Sequence, residues 1–329
     1  MESHGSHSPS CSHAASARRP GCVGGEAYPD SVLATIPVGG TPTDIAVLPN
    51  GERIYIGNSI SNHVTVVDVL SRSVMAEVAC GNSAWMVAAS PDGQRLYVVS
   101  EFDGSLSAIR TADNTVVATL QGVGSSPSRC CVSPDGVRCF VADQNGDRLT
   151  VVRAADLAVE ARIDVGPIPR DVDCTPDGRL LYVVGIGSPT LTCVRAADLS
   201  VVDVVDIGFR AHRVRCLPGG EYVVASEYYD HRLAVVRPSD NTLVRTIDLG
   251  TTVCGMTTTG GGAYLFVATD FETGAAAVLC VADWTVLGFI PTGIRPPSVH
   301  APADGRFVAS CDRVSRTVTL IGRNQPAQP

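Results

Sequence analysis

The sequence contains no lysine; all 25 of its basic residues are arginine. Schiff-base catalysis and a lysine-anchored pyridoxal phosphate are therefore excluded, although a GC-rich genome alone accounts for the absence. No apolar run approaches the roughly 18 residues that a membrane helix needs, so no membrane partner is expected. The opening stretch MESHGSHSPSCSHAASARRPGC has no apolar core behind its charges and does not read as a secretory signal. Arg18-Arg19 lacks the apolar stretch that follows a twin-arginine signal. Also missing are a G-x-S-x-G elbow, a phosphate-cradling loop and a dinucleotide fingerprint. Helical periodicity is absent throughout.

What is present sets further bounds. The 33 acidic residues outweigh the arginines and leave a formal charge of −8, which disfavours nucleic acid or an anionic membrane as the main partner. Of 12 cysteines, Cys130, Cys131, Cys139, Cys174, Cys193, Cys216 and Cys280 fall inside strand patterns where valine or alanine would serve. Free cysteine acts as a small hydrophobe in such places. With no export signal, the thiols are expected to be reduced and the protein cytoplasmic. Residues 1–27 are rich in Ser, Gly and Ala and lack a strand pattern, so a disordered tail is expected there, with a short tail at 324–329. The first tail carries His4, His7, Cys11, His13 and Cys22, which are of zinc- or copper-ligating type.

The folded part, 28–323, repeats. A strand-ending glycine recurs at Gly39, Gly81, Gly124, Gly166, Gly208, Gly250 and Gly293, at spacings of 42 or 43 residues. After each comes a short apolar strand and a turn: LPNGE, SPDGQ, SPDGV, TPDGR, LPGGE, TGGGA and PADGR. Proline followed by Asp-Gly supplies a preset φ and then a residue tolerant of positive φ. Strands such as RLYVVS, LTVVRA and VVATLQ complete each unit. Four short β-branched strands per unit predict an all-β, seven-bladed β-propeller of four-stranded blades. The last unit stops after three strands at Arg323, and SVLATIPVG from Ser31 matches the missing fourth. That strand is expected to close the ring and remove an open edge.

Units such as VGGTPTDIAVLPNGERIYIGNSISNHVTVVDV resemble the YVTN-repeat, YncE-like family of bacterial propellers over residues 31–323. The resemblance implies the fold. It leaves function open, because similar propellers include surface and periplasmic binding proteins, lactonases and the propeller domains of copper or haem enzymes.

In a propeller, the segments that open each blade share one face with the loops between second and third strands, while the PDG turns lie on the other. The opening segments carry Arg129, Arg170, Arg210, His212, Arg213 and Arg295, with Trp85, Met86 and Cys254 in other blades. An acidic chain has gathered cations around one mouth, and arginine forks suit carboxylate or phosphate. The expected ligand is a small anionic, partly apolar metabolite. The plainer alternative is that these arginines pair with Asp44, Asp171, Glu101 and Glu227 at the rim; Arg215, deeper in its strand, is expected to pair with Asp173. The loops after the second strands add Glu101, Glu227, Tyr228 and Asp270. If there is catalysis, His212 is the expected acid or base, with Glu227 orienting it, Glu101 nearby and Arg170 and Arg213 clamping the substrate. Trp284 reads as packing.

Two classes of function stay open. One is a cofactor-free lactone hydrolase, lyase or cyclase acting on that metabolite. The other is a non-catalytic binding or scaffold propeller with a protein partner. A metal-dependent variant would draw copper or zinc to His212, His231 and His300, or to the N-terminal tail, but the histidines are too scattered for a multinuclear centre.

Overall fold

Turn chemistry sets the frame. In Ser90-Pro91-Asp92-Gly93 the glycine closes the turn at φ +69°, a left-handed conformation that glycine adopts without steric cost. Asp92 Oδ1 accepts the Ser90 hydroxyl at 2.6 Å and the Gln94 amide at 3.0 Å. Those bonds, Ser90's first, hold the Asp92 carboxyl below its ordinary range. The same pair recurs at Asp135 and Asp177. A Cβ on Gly93 would lie 3.2 Å from Pro49 Cδ in the preceding blade, so these turns also pack against one another.

Between the turns run antiparallel strands. The computed structural model describes residues 28–228, 230–269 and 274–323; the tails expected at 1–27 and 324–329 lie outside them. Among the described residues the chain is all-β, with 28 strands grouped in four-stranded blades and two 3₁₀ turns. No helix among them is long and apolar enough to cross a membrane. One bridge, Asn58 with Ala84, joins the first two blades into a continuous sheet. The first strand, Ser31–Pro37, pairs with the final strand, Thr317–Gly322, as the outer member of the last blade. Its Ile36 is buried with Ile45, Phe307 and Leu320.

The core lies between neighbouring blades. Tyr55, Tyr97, Phe140, Tyr182 and Phe266 stand at repeat-equivalent places in second strands and are fully buried, each worth about 1.5–3 kcal/mol by burial. Tyr55 Oη donates to Asn114 Oδ1 and Tyr182 Oη to Asn241 Oδ1, both at 2.7 Å, so each ring is bolted to the next blade. Trp284 packs as expected, edge-on to Tyr222 at 5.3 Å. Its φ of +63° matches Leu157 and Leu199, which hold the same turn elsewhere. Among the described residues nine cysteines are buried free thiols, in line with their valine-like placement. Cys280 departs from that expectation, because it is disulfide-bonded. Strand placement reports the burial of a thiol and says nothing of its oxidation state.

One irregularity shapes the inner strands. Five of them carry a bulge near their start: Pro42 opposes Asn58 and Asp44 opposes Gly57, leaving Thr43 extra, Trp85, Ser128 and Arg170 are the equivalent extra residues, and Cys254-Gly255 span the shift in the strand Val253–Thr258. A bulge re-aims a side chain that strict alternation would turn away. Consecutive positions therefore serve one channel. Equivalent residues form an upper tier of Thr43, Trp85, Ser128, Arg170, His212, Cys254 and Pro297. Beneath it runs a second tier of Asp44, Met86, Arg129, Asp171, Arg213, Gly255 and Ser298.

Candidate functional site

The upper tier and the loops above it enclose a mouth of about 750 Å³. Trp85, Arg170, His212, Cys254 and Pro297 come from the tier itself. Tyr228, Arg295, Arg313, Val314 and Arg316 come from segments around it, and Arg213 of the second tier forms part of the floor. Five arginines thus line the cavity, and no carboxylate does so among the described residues. Trp85, Val253, Pro296, Pro297 and Val314 make the rest largely apolar.

Each cation is held differently. Arg170 donates Nη1 to Gln144 Oε1 at 2.9 Å, and its guanidinium sits 6.0 Å from the Trp85 ring centroid. Burial and then Arg129 push its pKa down, against Glu101 and Asp171. Arg213 donates Nη1 to the His212 carbonyl at 3.1 Å. Burial, then Arg129, push Arg213 down to about 9. The His212 ring lies 5.8 Å from that of Tyr228, tilted by 49°. Burial, followed by Arg213 and Arg170, depresses His212 to about 4, because a second positive charge is unfavourable there. At neutral pH this imidazole is uncharged and a weak base.

The expected site residues divide by depth. Trp85, Arg170, His212, Arg213, Tyr228, Cys254 and Arg295 come together at the mouth. Arg129 and Met86 do not. They belong to the second tier and line a chamber below, where Arg129 Nη1 donates to Asp44 Oδ1 at 3.1 Å and Met86 Sδ accepts the Cys130 amide. Neither expected carboxylate lines the mouth. Glu227 is buried and accepts the backbone amide of Asp230 in its own loop, so it braces that loop. Glu101 stays within electrostatic reach of Arg170. Asp270 lies outside the described residues.

The plainer alternative, in which carboxylates consume the arginines, describes Arg129; Arg170 and Arg213 donate, among the described residues, to neutral acceptors. Arg215 does meet Asp173, at 3.6 Å. Sequence reasoning missed Arg313 and Arg316, which border the turn between the last two strands. The motif DRVSR has no aromatic or histidine to mark it, but its cationic pair in a loop of the expected face was a usable signal. The histidines weighed as metal ligands stay apart: His212 lines the mouth and His300 the lower chamber. No group of three His, Cys, Asp or Glu able to hold a metal occurs among the described residues.

Comparison with known proteins agrees with the architecture. A family model described as a YncE-like beta-propeller matches residues 33–237. Hydrazine synthase of Kuenenia stuttgartiensis is similar in structure, with a TM-score of 0.79 at 21% identity over 92% of this chain and 99% of that one. The Cps50 (Swd1) beta-propeller domain of Myceliophteria thermophila gives 0.76 at 11% identity, over 90% and 100%. At such identities the likeness is one of fold alone. No curated protein sequence matches the chain.

Proposed function

The chain belongs to the YncE-like β-propeller family, and from that premise we propose that it is a seven-bladed ring, closed by its first strand, whose mouth takes a small anionic, partly apolar metabolite. The carrying observation is the mouth's lining: Arg170, Arg213, Arg295, Arg313 and Arg316 around one cavity, with Trp85, Val253 and Pro297 and no described carboxylate. Guanidinium forks bind carboxylate or phosphate with charge-assisted hydrogen bonds, and the apolar sector takes the rest of the molecule.

Turnover, on this reading, is electrostatic. Arg170 and Arg213 are fixed before substrate arrives and stabilise negative charge as it develops, as in opening a lactone or eliminating a carboxylate-bearing group. His212 works as a neutral imidazole that hydrogen-bonds the substrate; at a pKa of about 4 it is too weak a base to drive proton abstraction by itself. The cytoplasm remains the proposed location. The same lining also suits binding without turnover, and product analysis separates the two.

The test is thermal unfolding against a panel of carboxylates and phosphorylated metabolites, using the unaltered protein, Arg170→Ala and Arg316→Ala. A saturable shift that weakens in both variants supports the site. Shifts indifferent to both substitutions, or no saturable shift from any anion, would sink it.

A further inference from the structure

Beneath Arg213 lies a second chamber of about 180 Å³. Its acceptors are already engaged. Asp44 takes Arg129 Nη1 on one oxygen and the Val87 amide on the other. Asp171 takes the amides of Val172 and Val214, and Asp173 those of Cys174 and Cys216. Its donors are not all engaged. Arg129 is 6% exposed, and its Nε and Nη2 are buried without a hydrogen-bond partner, as is Nε of Arg213.

The identity of the leftover atoms is informative. Nε and Nη2 form the side edge of a guanidinium, two parallel N–H bonds spaced for two oxygens of one planar group. Buried charged donors without an acceptor are strongly disfavoured, so the chamber must supply one. A water molecule takes roughly 30 Å³ of liquid volume, which leaves room here for a small anion. Asp44 and Asp171 oppose the charges of Arg129 and Arg213, but neither is hydrogen-bonded to the unengaged edge; a water offers it one oxygen, whereas a planar oxyanion meets both N–H bonds of that edge at once.

The geometry points to a second binding site, distinct from the mouth and independent of its proposed ligand: the Nε–Nη2 edge of Arg129, with Arg213 Nε in the same chamber, holds a small planar oxyanion of the formate, nitrate or bicarbonate kind. Arg213 lines both cavities and so forms the partition between the two anions.

Thermal unfolding of the intact chain in sodium formate, against sodium chloride at matched ionic strength, tests this. A saturable rise in Tm is expected with formate. Its midpoint should weaken at least tenfold in Arg129→Lys, which keeps a charge facing Asp44 but has no double N–H edge. It should persist in Arg316→Ala, which alters the mouth. An equal response in Arg129→Lys, a response abolished by Arg316→Ala, or no saturable response overturns the assignment. If Arg129→Lys does not fold, a crystal structure of the unaltered protein grown from formate decides: formate on the Arg129 edge supports the site, and water there overturns it. Failure of the mouth would look different, as metabolite shifts indifferent to Arg170→Ala.

Discussion

Arg129 and Asp44 pair at 3.1 Å across a blade that contributes neither of them. Asp44 opens the first blade, Arg129 the third, and both side chains are almost wholly withdrawn from solvent. The bond therefore ties together the inner strands of two blades that are not consecutive in the chain.

Breaking that pair from one side should be costly. Asp44→Ala is expected to destabilise the protein by about 3–5 kcal/mol, because it leaves a buried guanidinium without its counter-charge. The double variant Asp44→Leu with Arg129→Met should recover most of the loss. Denaturant unfolding of the three proteins checks this, and a double variant no better than Asp44→Ala would count against it.

The two channel histidines predict the acid limb of stability. His212 and His300 are both depressed to about 4 by burial first, with Arg213 acting on one and Arg215 on the other. His300 also accepts the Val47 amide on Nδ1, at 3.2 Å, a bond that protonation would remove. The unfolded chain binds these protons near 6.5 and the folded one near 4, so stability must rise with pH between those values and level off above. In His212→Gln and His300→Gln that slope should be shallower, each by up to one proton. Urea unfolding at pH 4.5, 5.5 and 7 measures it.

Trp85 and Arg170 should act together on anion binding. Removing the ring by Trp85→Ala is expected to weaken a carboxylate ligand two- to fivefold, matching a cation–π contact of about 0.5–1 kcal/mol. Arg170→Ala should cost more, about ten- to a hundredfold, as a charge-assisted hydrogen bond is lost. Combining the two should cost less than the product of the single effects, since part of the ring's contribution runs through the cation. Calorimetric titration distinguishes this from independent contributions.

The first strand should matter to the blade it completes. Ile36→Ala is expected to cost about 2–5 kcal/mol through the cavity it leaves among Ile45, Phe307 and Leu320. Val32→Ala, at an exposed place in the same strand, should change stability by under about 0.5 kcal/mol. Thermal unfolding of both tests whether the two ends of the chain melt as one unit.

The architecture was readable because its determinants are local. Pro-Asp-Gly turns, β-branched alternation and a spacing of 42 or 43 residues each specify geometry within a few residues. The site was readable in part, since the segments that open each blade are uneven in chemistry. Depth was not. Arg129 and Arg170 look alike in sequence, yet one sits in the second tier and the other in the first, because Ser128 and Arg170 occupy bulges and no residue type announces a bulge. The bracing bond of Glu227 was hidden for a related reason: its partner is a backbone amide, which leaves no mark in the sequence.

The bulges have a consequence for how such a protein can change. Each supplies two adjacent positions facing one passage, so the mouth can acquire a new chemistry by substitution at Thr43, Trp85 or Arg170 while the neighbouring residue keeps the sheets in place. Specificity and structural integrity are thereby written in separate columns of the same repeat. A substitution at one of these extra positions would alter the lining of the passage without touching the strand pairing of the blade.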